Sequence, residues 1–441
     1  MIEHPEVHMS TESRLVLRGA RFPADVAVED GLITEIGSVE ARPGDRELRC
    51  DGDIVTAGLV NTHHHLYQWM TRGRATSCDL FGWLQELYPV WNQLSSDDVG
   101  AAALVGLAEL ARSGATTVAD HHYVVPHGDD SVFDAIASAA RTVGVRLHLS
   151  RGSMDLGESA GGLPPDDIVE DVEVILASTE AVAARLHDGS RVSVVVAPCS
   201  PFSTSKELMV ESADLARRLG LRLHTHLAET LDEERDSLAR FGCRPLDYVE
   251  GLGWLGPDVW FAHAIHLDPS EVARLGAAGA GVAHCPSSNG RLGSGICPVR
   301  QLVDAGAPVG LGVDGAASNE AGVLQPEMRQ ALYLARLRDG HASAFSPAEA
   351  LGLATSGGAR CLGRGELGRL EPGSPADIAI WPGDDLGDVP DPIAGLVLGP
   401  DRRVRHLLVG GELVVSDGEL VGLELAAARG ELARRARRLW P

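Results

Sequence analysis

The sequence predicts an α/β fold: a closed (β/α)8 TIM barrel carrying a small β-sandwich built from both ends of the chain. Three observations predict it. A short β-branched apolar run followed by a longer segment of helical period recurs eight times through the middle of the chain. His, Asp, Glu and Cys residues gather where those runs stop, which in a barrel is the face that carries chemistry. The two flanks instead alternate apolar and polar residues around Gly and Asp-Gly turns, the pattern of short antiparallel strands. The expected division is residues 1–57 and 368–441 for the sandwich, the latter with a terminal helix, and residues 58–367 for the barrel.

The first flank reads "LVLRGARFPADVAVEDGLITEIG". The eight runs are "IVTAGLVNTHHH", "ATTVADHH", "VRLHLSRG", "RVSVVVAPC", "LRLHTHLAE", "DVWFAHAIHL", "GAGVAHCPSS" and "APVGLGVDG". Between them lie amphipathic stretches such as "SVFDAIASAARTVG" and "KELMVESADLARRLG", whose closing glycines suit a helix C-cap. The second flank holds "GELGRLEPGSPADIAIW" and "RHLLVGGELVVSDGEL". "LAAARGELARRARRLW" then reads as a solvated surface helix with a basic face. No low-complexity linker separates the parts, so tight packing between them is expected.

Thirty-eight Lys and Arg against 62 Asp and Glu give a net charge of -24, which repels phosphate backbones and anionic lipid. Nucleic-acid and membrane-surface partners are disfavoured. "MIEHPEVHMSTES" lacks the basic and apolar regions of a signal peptide, and no apolar run reaches the roughly 18 residues a membrane span needs, so a cytoplasmic protein is expected. Seven scattered cysteines, an odd number with no CxxC pair, suggest neither a disulfide framework nor a cysteine zinc knuckle. Loops carrying "LFGWLQELYPVW" hint at a homo-oligomer, a dimer or larger.

In a strand, alternate side chains share a face, so His63 and His65 form a pair and His64 points away. The fifth run adds "HTHLAET", where His224 and His226 again share a face and the pleat cannot choose between them. Glu229 follows just past the strand end, where a carboxylate can reach a metal-bound water. His263 and Asp314 stand at the ends of the sixth and eighth runs. Three histidines and a carboxylate converging from separate strands make an N/O site suited to Zn²⁺, with Fe²⁺ possible.

"GLVNTHHH", "HTHLAET", "AHAIH" and "GVDGAASN" resemble the strand-end motifs of the amidohydrolase superfamily, in its mononuclear deaminase branch. "NTHHHLYQ", "ADHHY", "RGSM", "APCSPFS", "HCPSSN" and "RLGSGICP" resemble the 8-oxoguanine deaminases closely and the s-triazine hydrolases more distantly. The likeness spans nearly the whole chain. It implies one metal per chain held by His63, His65, His226 and Asp314, with His224 as a neighbour and His64 as a non-ligand. A binuclear relative would need a lysine at the end of the fourth strand. That position falls in "VVVAPCS", and the chain's one lysine, Lys206, lies beyond it.

The resemblance also implies roles. Asp314 accepts the water's proton, His263 steers the attacking oxygen, and Glu229 protonates the ring nitrogen beside the amino-bearing carbon. Glu229 has a plainer reading as a residue favoured at a helix N-terminus. Candidate substrate contacts are Gln68 and Asn289 for a ring edge, Trp83 and Tyr123 for a ring face, Cys199 as pocket lining or an inert buried thiol, and Arg151 and Ser318 at or after strand ends. Arg151 could instead grip a carboxylate or phosphate. His121, His122 and His284 stay open between groups that orient ligands and satisfied core histidines.

The expected reaction is hydrolytic deamination of a small heterocycle, 8-oxoguanine to urate and ammonia. A triazine hydrolase and a guanine or isocytosine deaminase are the alternatives. A non-enzymatic scaffold should have lost ligands, and none is missing.

Overall fold

The computed structural model describes residues 14–439. The "MIEHPEVHMSTES" stretch and Trp440 lie outside the described residues.

Five short strands open the fold: β1 (Leu15–Arg18), β2 (Asp25–Glu29), β3 (Leu32–Gly37), β4 (Arg46–Arg49) and β5 (Ile54–Ala57). Eight parallel strands follow: β6 (Leu59–Asn61), β7 (Ala115–His122), β8 (Arg146–Ser153), β9 (Val192–Pro198), β10 (Arg222–Leu227), β11 (Val259–His263), β12 (Gly281–His284) and β13 (Val309–Leu311). They close into a barrel, with β6 between β13 and β7. β14 (Ile378–Trp381), β15 (His406–Val409), β16 (Glu412–Ser416) and β17 (Glu419–Leu420) complete the strands.

β1 to β4 form one sheet in the order β3-β2-β1-β4, and β5 joins the late strands in the order β17-β16-β15-β14-β5. Leu15, Leu17, Val26 and Val28 of the first sheet pack against Val55, Ile378, Ile380 and Leu408 of the second, giving a sandwich with its own apolar core.

The run "IVTAGLVNTHHH" is not one strand. It breaks at Gly58, where a Cβ would stand 2.3 Å from the Thr116 side chain, too close to be accommodated. The half before the glycine, β5, pairs antiparallel with β14, and the half after it enters the barrel. The histidines stand beyond the end of β6, where His63 and His65, but not His64, come together with Asp314.

The helices between the strands form as their caps predict. Ser131–Val143, Lys206–Leu219 and Pro269–Ala278 stop at Gly144, Gly220 and Gly279, each left-handed with φ between 68° and 90°.

Two expectations are overturned. The C-terminal helix Leu425–Arg438 is not merely solvated, because it packs on the helix Ser96–Arg112 and its arginines reach buried carboxylates there. Arg435 and Arg438 pair with Asp98, and Arg429 with Glu109. "LFGWLQELYPVW" is a helix rather than a loop, Leu80–Trp91, whose Leu80, Trp83, Leu84, Leu87, Tyr88 and Trp91 are buried within the chain. Among the described residues no helix is long and apolar enough to cross a membrane, and all seven cysteines are free.

Candidate metal centre and active site

The strand ends bring His63, His65, His226, His263 and Asp314 together. The His65 Nδ1 lies 2.6 Å from the His121 carbonyl oxygen, and the His226 Nδ1 lies 2.6 Å from that of Cys199. A carbonyl only accepts, so each Nδ1 carries the proton and each Nε2 presents a lone pair. Burial pulls the pKa of both rings well below 6.5 and keeps them neutral. Yet the two Nε2 atoms stand 3.1 Å apart with no proton between them. Two bare lone pairs at that distance repel unless a cation lies between them.

Asp314 Oδ1 sits 3.3 Å from His65 Nε2 and 3.4 Å from His63 Nε2, and the latter has no other partner among the described residues. The residues present therefore fit a divalent metal. His121 belongs to two geometrically possible triplets; its Nε2 donates to the Ala197 carbonyl at 2.9 Å, and its Nδ1 has no partner among the described residues. His64 turns away and its Nδ1 accepts the His65 backbone N–H at 2.7 Å. Lys206 is exposed at the first position of its helix, and the strand end before it offers Cys199 instead of a lysine.

Backbone strain marks the same places. Ala228, His263 and Asp314 take left-handed φ values of 52°, 71° and 61°, each costing of order 1–3 kcal/mol. The surrounding structure holds them there. Glu233, on the helix after β10, accepts the Ala228 and Glu229 backbone N–H groups at 2.9 and 2.7 Å, clamping the turn that presents Glu229. Burial pushes the Glu233 carboxyl up to about 7 despite those bonds.

Glu229 Oε2 lies 3.5 Å from His263 Nε2, while Ser294 donates to Glu229 Oε1 at 3.2 Å. Burial, helped by the Asp314 charge, raises the Glu229 pKa above its usual value against the opposing pull of His263. For His263 burial works downward, but the Glu229 and Asp314 charges and the Asn289 bond outweigh it, and the net shift is upward. For Asp314 burial works upward, and its hydrogen bond with His63 and the surrounding histidines overcome it, holding it well below the carboxylate range. Ser288 and Ser318 donate to Asp314 Oδ2 at 2.6 and 3.3 Å. Two neighbouring carboxyls thus have their pKa values driven apart, the arrangement that separates an acid from a base.

Above these groups lies a cavity walled by Leu80, Trp83, Leu84, Tyr88, Tyr123, Cys199, Phe202 and Leu292. Trp83 and Tyr123 were candidate ring-face contacts, and Cys199 was left open between pocket lining and an inert buried thiol; the structure places all three on this wall. Burial lifts the Cys199 thiol to about 12, so it stays protonated. Tyr88, Phe202 and Leu292 carry no sequence signal beyond being apolar or aromatic in the segments that follow barrel strands.

The remaining substrate candidates stand elsewhere. Asn289 Oδ1 accepts from His263 Nδ1 at 2.9 Å, so it orients that ring from outside the cavity wall. Gln68 is buried beside Gly315, where a Cβ would come 1.7 Å from its Oε1, and it too is off the cavity wall. Arg151 is corrected outright. Its guanidinium is spent on Glu170 at 2.7 and 2.9 Å, on Ser178 and on the Gly152 carbonyl, leaving no fork for a substrate anion. His122 packs against Tyr67 and Phe133, and neither it nor His284 lines the cavity.

Asp120 gives a pH-dependent test of this packing. Its Oδ1 accepts the Leu66 backbone N–H at 2.7 Å, its Oδ2 has no partner among the described residues, and burial raises its pKa to about 7. Unfolded, it ionises near 3.8. Ionisation therefore opposes folding, by an amount that grows as pH rises from about 4 and is complete above about 7. Asn at this position carries no such cost. In metal-free protein the melting temperature of Asp120→Asn, taken relative to the parent, should climb between about pH 5 and about pH 8. A difference that is flat or falling across that window refutes the assignment.

A model of the amidohydrolase family matches residues 54–414. An 8-oxoguanine deaminase of Pseudomonas aeruginosa is 50% identical over 412 residues, which cover 91% of this chain and 92% of the relative. An isoxanthopterin deaminase from an unknown prokaryotic organism is 38% identical over 95% of this chain and 93% of its own. Among solved structures, the zinc-complexed atrazine chlorohydrolase TrzN from Arthrobacter aurescens TC1 aligns with a TM-score of 0.90 at 31% identity, covering 96% of this chain and 100% of that one. With a family match over most of its length and the barrel, sandwich and strand-end histidines already described, the chain belongs to the amidohydrolase family.

Proposed function

We propose that the chain is a metal-dependent hydrolytic deaminase of an amino-substituted N-heterocycle, with 8-oxoguanine as substrate and urate and ammonia as products. The observation that carries the reaction type is the placement of Glu229 3.5 Å from His263, beside the facing lone pairs of His65 and His226. The likeness to the Pseudomonas aeruginosa 8-oxoguanine deaminase supports the substrate.

His63, His65, His226 and Asp314 would hold one zinc ion, or iron(II), which supplies the Lewis acidity that makes water a nucleophile at neutral pH. Asp314 remains a carboxylate throughout the working pH range and can accept the water's proton at its carboxylate oxygen. His263, its Nδ1 fixed by Asn289, aims Nε2 between Glu229 and Asp314 and orients the attacking oxygen. Glu229, with a raised pKa, can carry a proton at Oε2 and deliver it to the ring nitrogen, lowering the cost of breaking aromaticity before ammonia leaves. The aromatic and aliphatic walls suit a flat ring, and no Lys or Arg among the described residues lines the cavity to bind a phosphate. The free cysteines suit a reducing cytoplasm.

Hydrolysis of a triazine is the second reading, supported by the likeness to the atrazine chlorohydrolase. Product release measured across 8-oxoguanine, guanine, isocytosine, a hydroxytriazine and a phosphorylated purine separates them. The highest kcat/KM is expected for 8-oxoguanine. A triazine at the top moves the assignment to the second reading, and a phosphorylated purine at the top refutes the neutral pocket.

A further inference from the structure

One of the three histidines is held differently from the other two. His65 and His226 donate Nδ1–H to main-chain carbonyls, whereas His63 Nδ1 meets another side chain, His224 Nε2, at 2.8 Å. An imidazole nitrogen can donate or accept, so that contact alone does not say which ring carries the proton.

The next link decides it. His224 Nδ1 lies 2.9 Å from the Trp260 carbonyl oxygen, which can only accept, so His224 is protonated on Nδ1. A His63 that ligates through Nε2 keeps its own proton on Nδ1, so it donates into the 2.8 Å contact and needs a bare nitrogen opposite. His224 Nε2 is then a lone pair, and the proton in the 2.8 Å contact belongs to His63 Nδ1. His63 Nε2 is left bare on the side that faces Asp314 Oδ1.

His224 is itself fixed. Its ring stacks on Trp260 with centroids 4.3 Å apart and planes 14° from parallel. Trp260 Nε1 donates to the carbonyl of Thr62, the residue before His63, at 3.2 Å. The four residues close a loop that ties the chain just past β6 to β10 and β11.

We propose that His224 is a positioning residue: it relays the acceptor character of the Trp260 carbonyl to His63, fixing the tautomer and aim of that ligand while never touching the metal. This rests on the metal reading above. General experience with ligands that lose such a partner sets the expected effect at about 10- to 100-fold in metal affinity.

Zn²⁺ affinity, measured by competition with a chromophoric chelator, tests it. His224→Phe keeps a flat ring for Trp260 and removes the acceptor, and it should bind Zn²⁺ about 10- to 100-fold more weakly. His224→Gln restores an amide that can accept from His63 and donate to the Trp260 carbonyl, and it should recover most of the loss. Nitrogen-15 spectra of the histidines in metal-free parent protein should show His63 protonated on Nδ1, a readout that needs no variant to fold. The inference is overturned if His224→Phe, folded, binds Zn²⁺ as tightly as the parent, or if the spectra place the His63 proton on Nε2. A parent protein that takes up no divalent metal would instead sink the metal reading itself.

Discussion

Glu229→Gln is expected to lower kcat by about 10³-fold, inside the range a positioned general acid–base contributes, while metal content, melting temperature and KM stay close to the parent's. Such a loss is about 4 kcal/mol of barrier. Glutamine keeps the volume, and its Oε1 can still accept from Ser294 as Glu229 does. The Glu233 clamp acts on the backbone N–H of this residue and is indifferent to the side chain. Only the ability to carry a proton is removed. Steady-state kinetics together with metal analysis check this, and a variant within tenfold of the parent takes Glu229 out of the mechanism.

The second large effect concerns the metal. His65→Ala should reduce bound zinc from about one ion per chain to almost none, and activity with it, because it deletes one of the two lone pairs that face each other at 3.1 Å and leaves an incomplete donor set. His64→Ala, one position earlier, should keep the ion. Its side chain serves the fold by accepting the His65 backbone N–H, so the expected cost is about 1 kcal/mol of stability. Elemental analysis of purified variants separates the outcomes. Equal loss from both variants would mean that the alternation of side chains past β6 does not decide ligation, and two tightly held ions per chain would refute a mononuclear centre.

The barrel was legible because its strands end in a change of period and several of its helices stop at glycines that adopt the left-handed conformation. The strand break at Gly58 was not, although the expected division between sandwich and barrel falls at residues 57 and 58, since β5 and β6 read as one apolar run and only the approach of Thr116 requires the glycine. The convergence of His63, His65, His226, His263 and Asp314 followed from their places at strand ends, which a closed barrel gathers on one face. Arg151 occupied the same kind of place and misled, because position does not reveal that Glu170 uses up its donors. Glu233 was invisible for the opposite reason. A carboxylate in the first turn of a helix is ordinary, and its hold on the Glu229 turn exists only in three dimensions. The basic face of the last helix looked solvated because its partners, Asp98 and Glu109, lie far back in the sequence.

The pairing of β5 with β14 also sets an order of events. Thr56 and Trp381, bonded through Trp381 Nε1, are 325 positions apart, and Gly58 alone separates β5 from the strand that leads to His63. Contacts of such long range close late, after most of the chain-closure entropy has been lost. A nascent chain growing from its N-terminus therefore exposes His63 and His65 early but cannot anchor them through this sheet until its late strands have emerged. A metal held by these histidines would thus find its native donor geometry near the end of folding and would selectively stabilise the chain that has closed both its barrel and its sandwich.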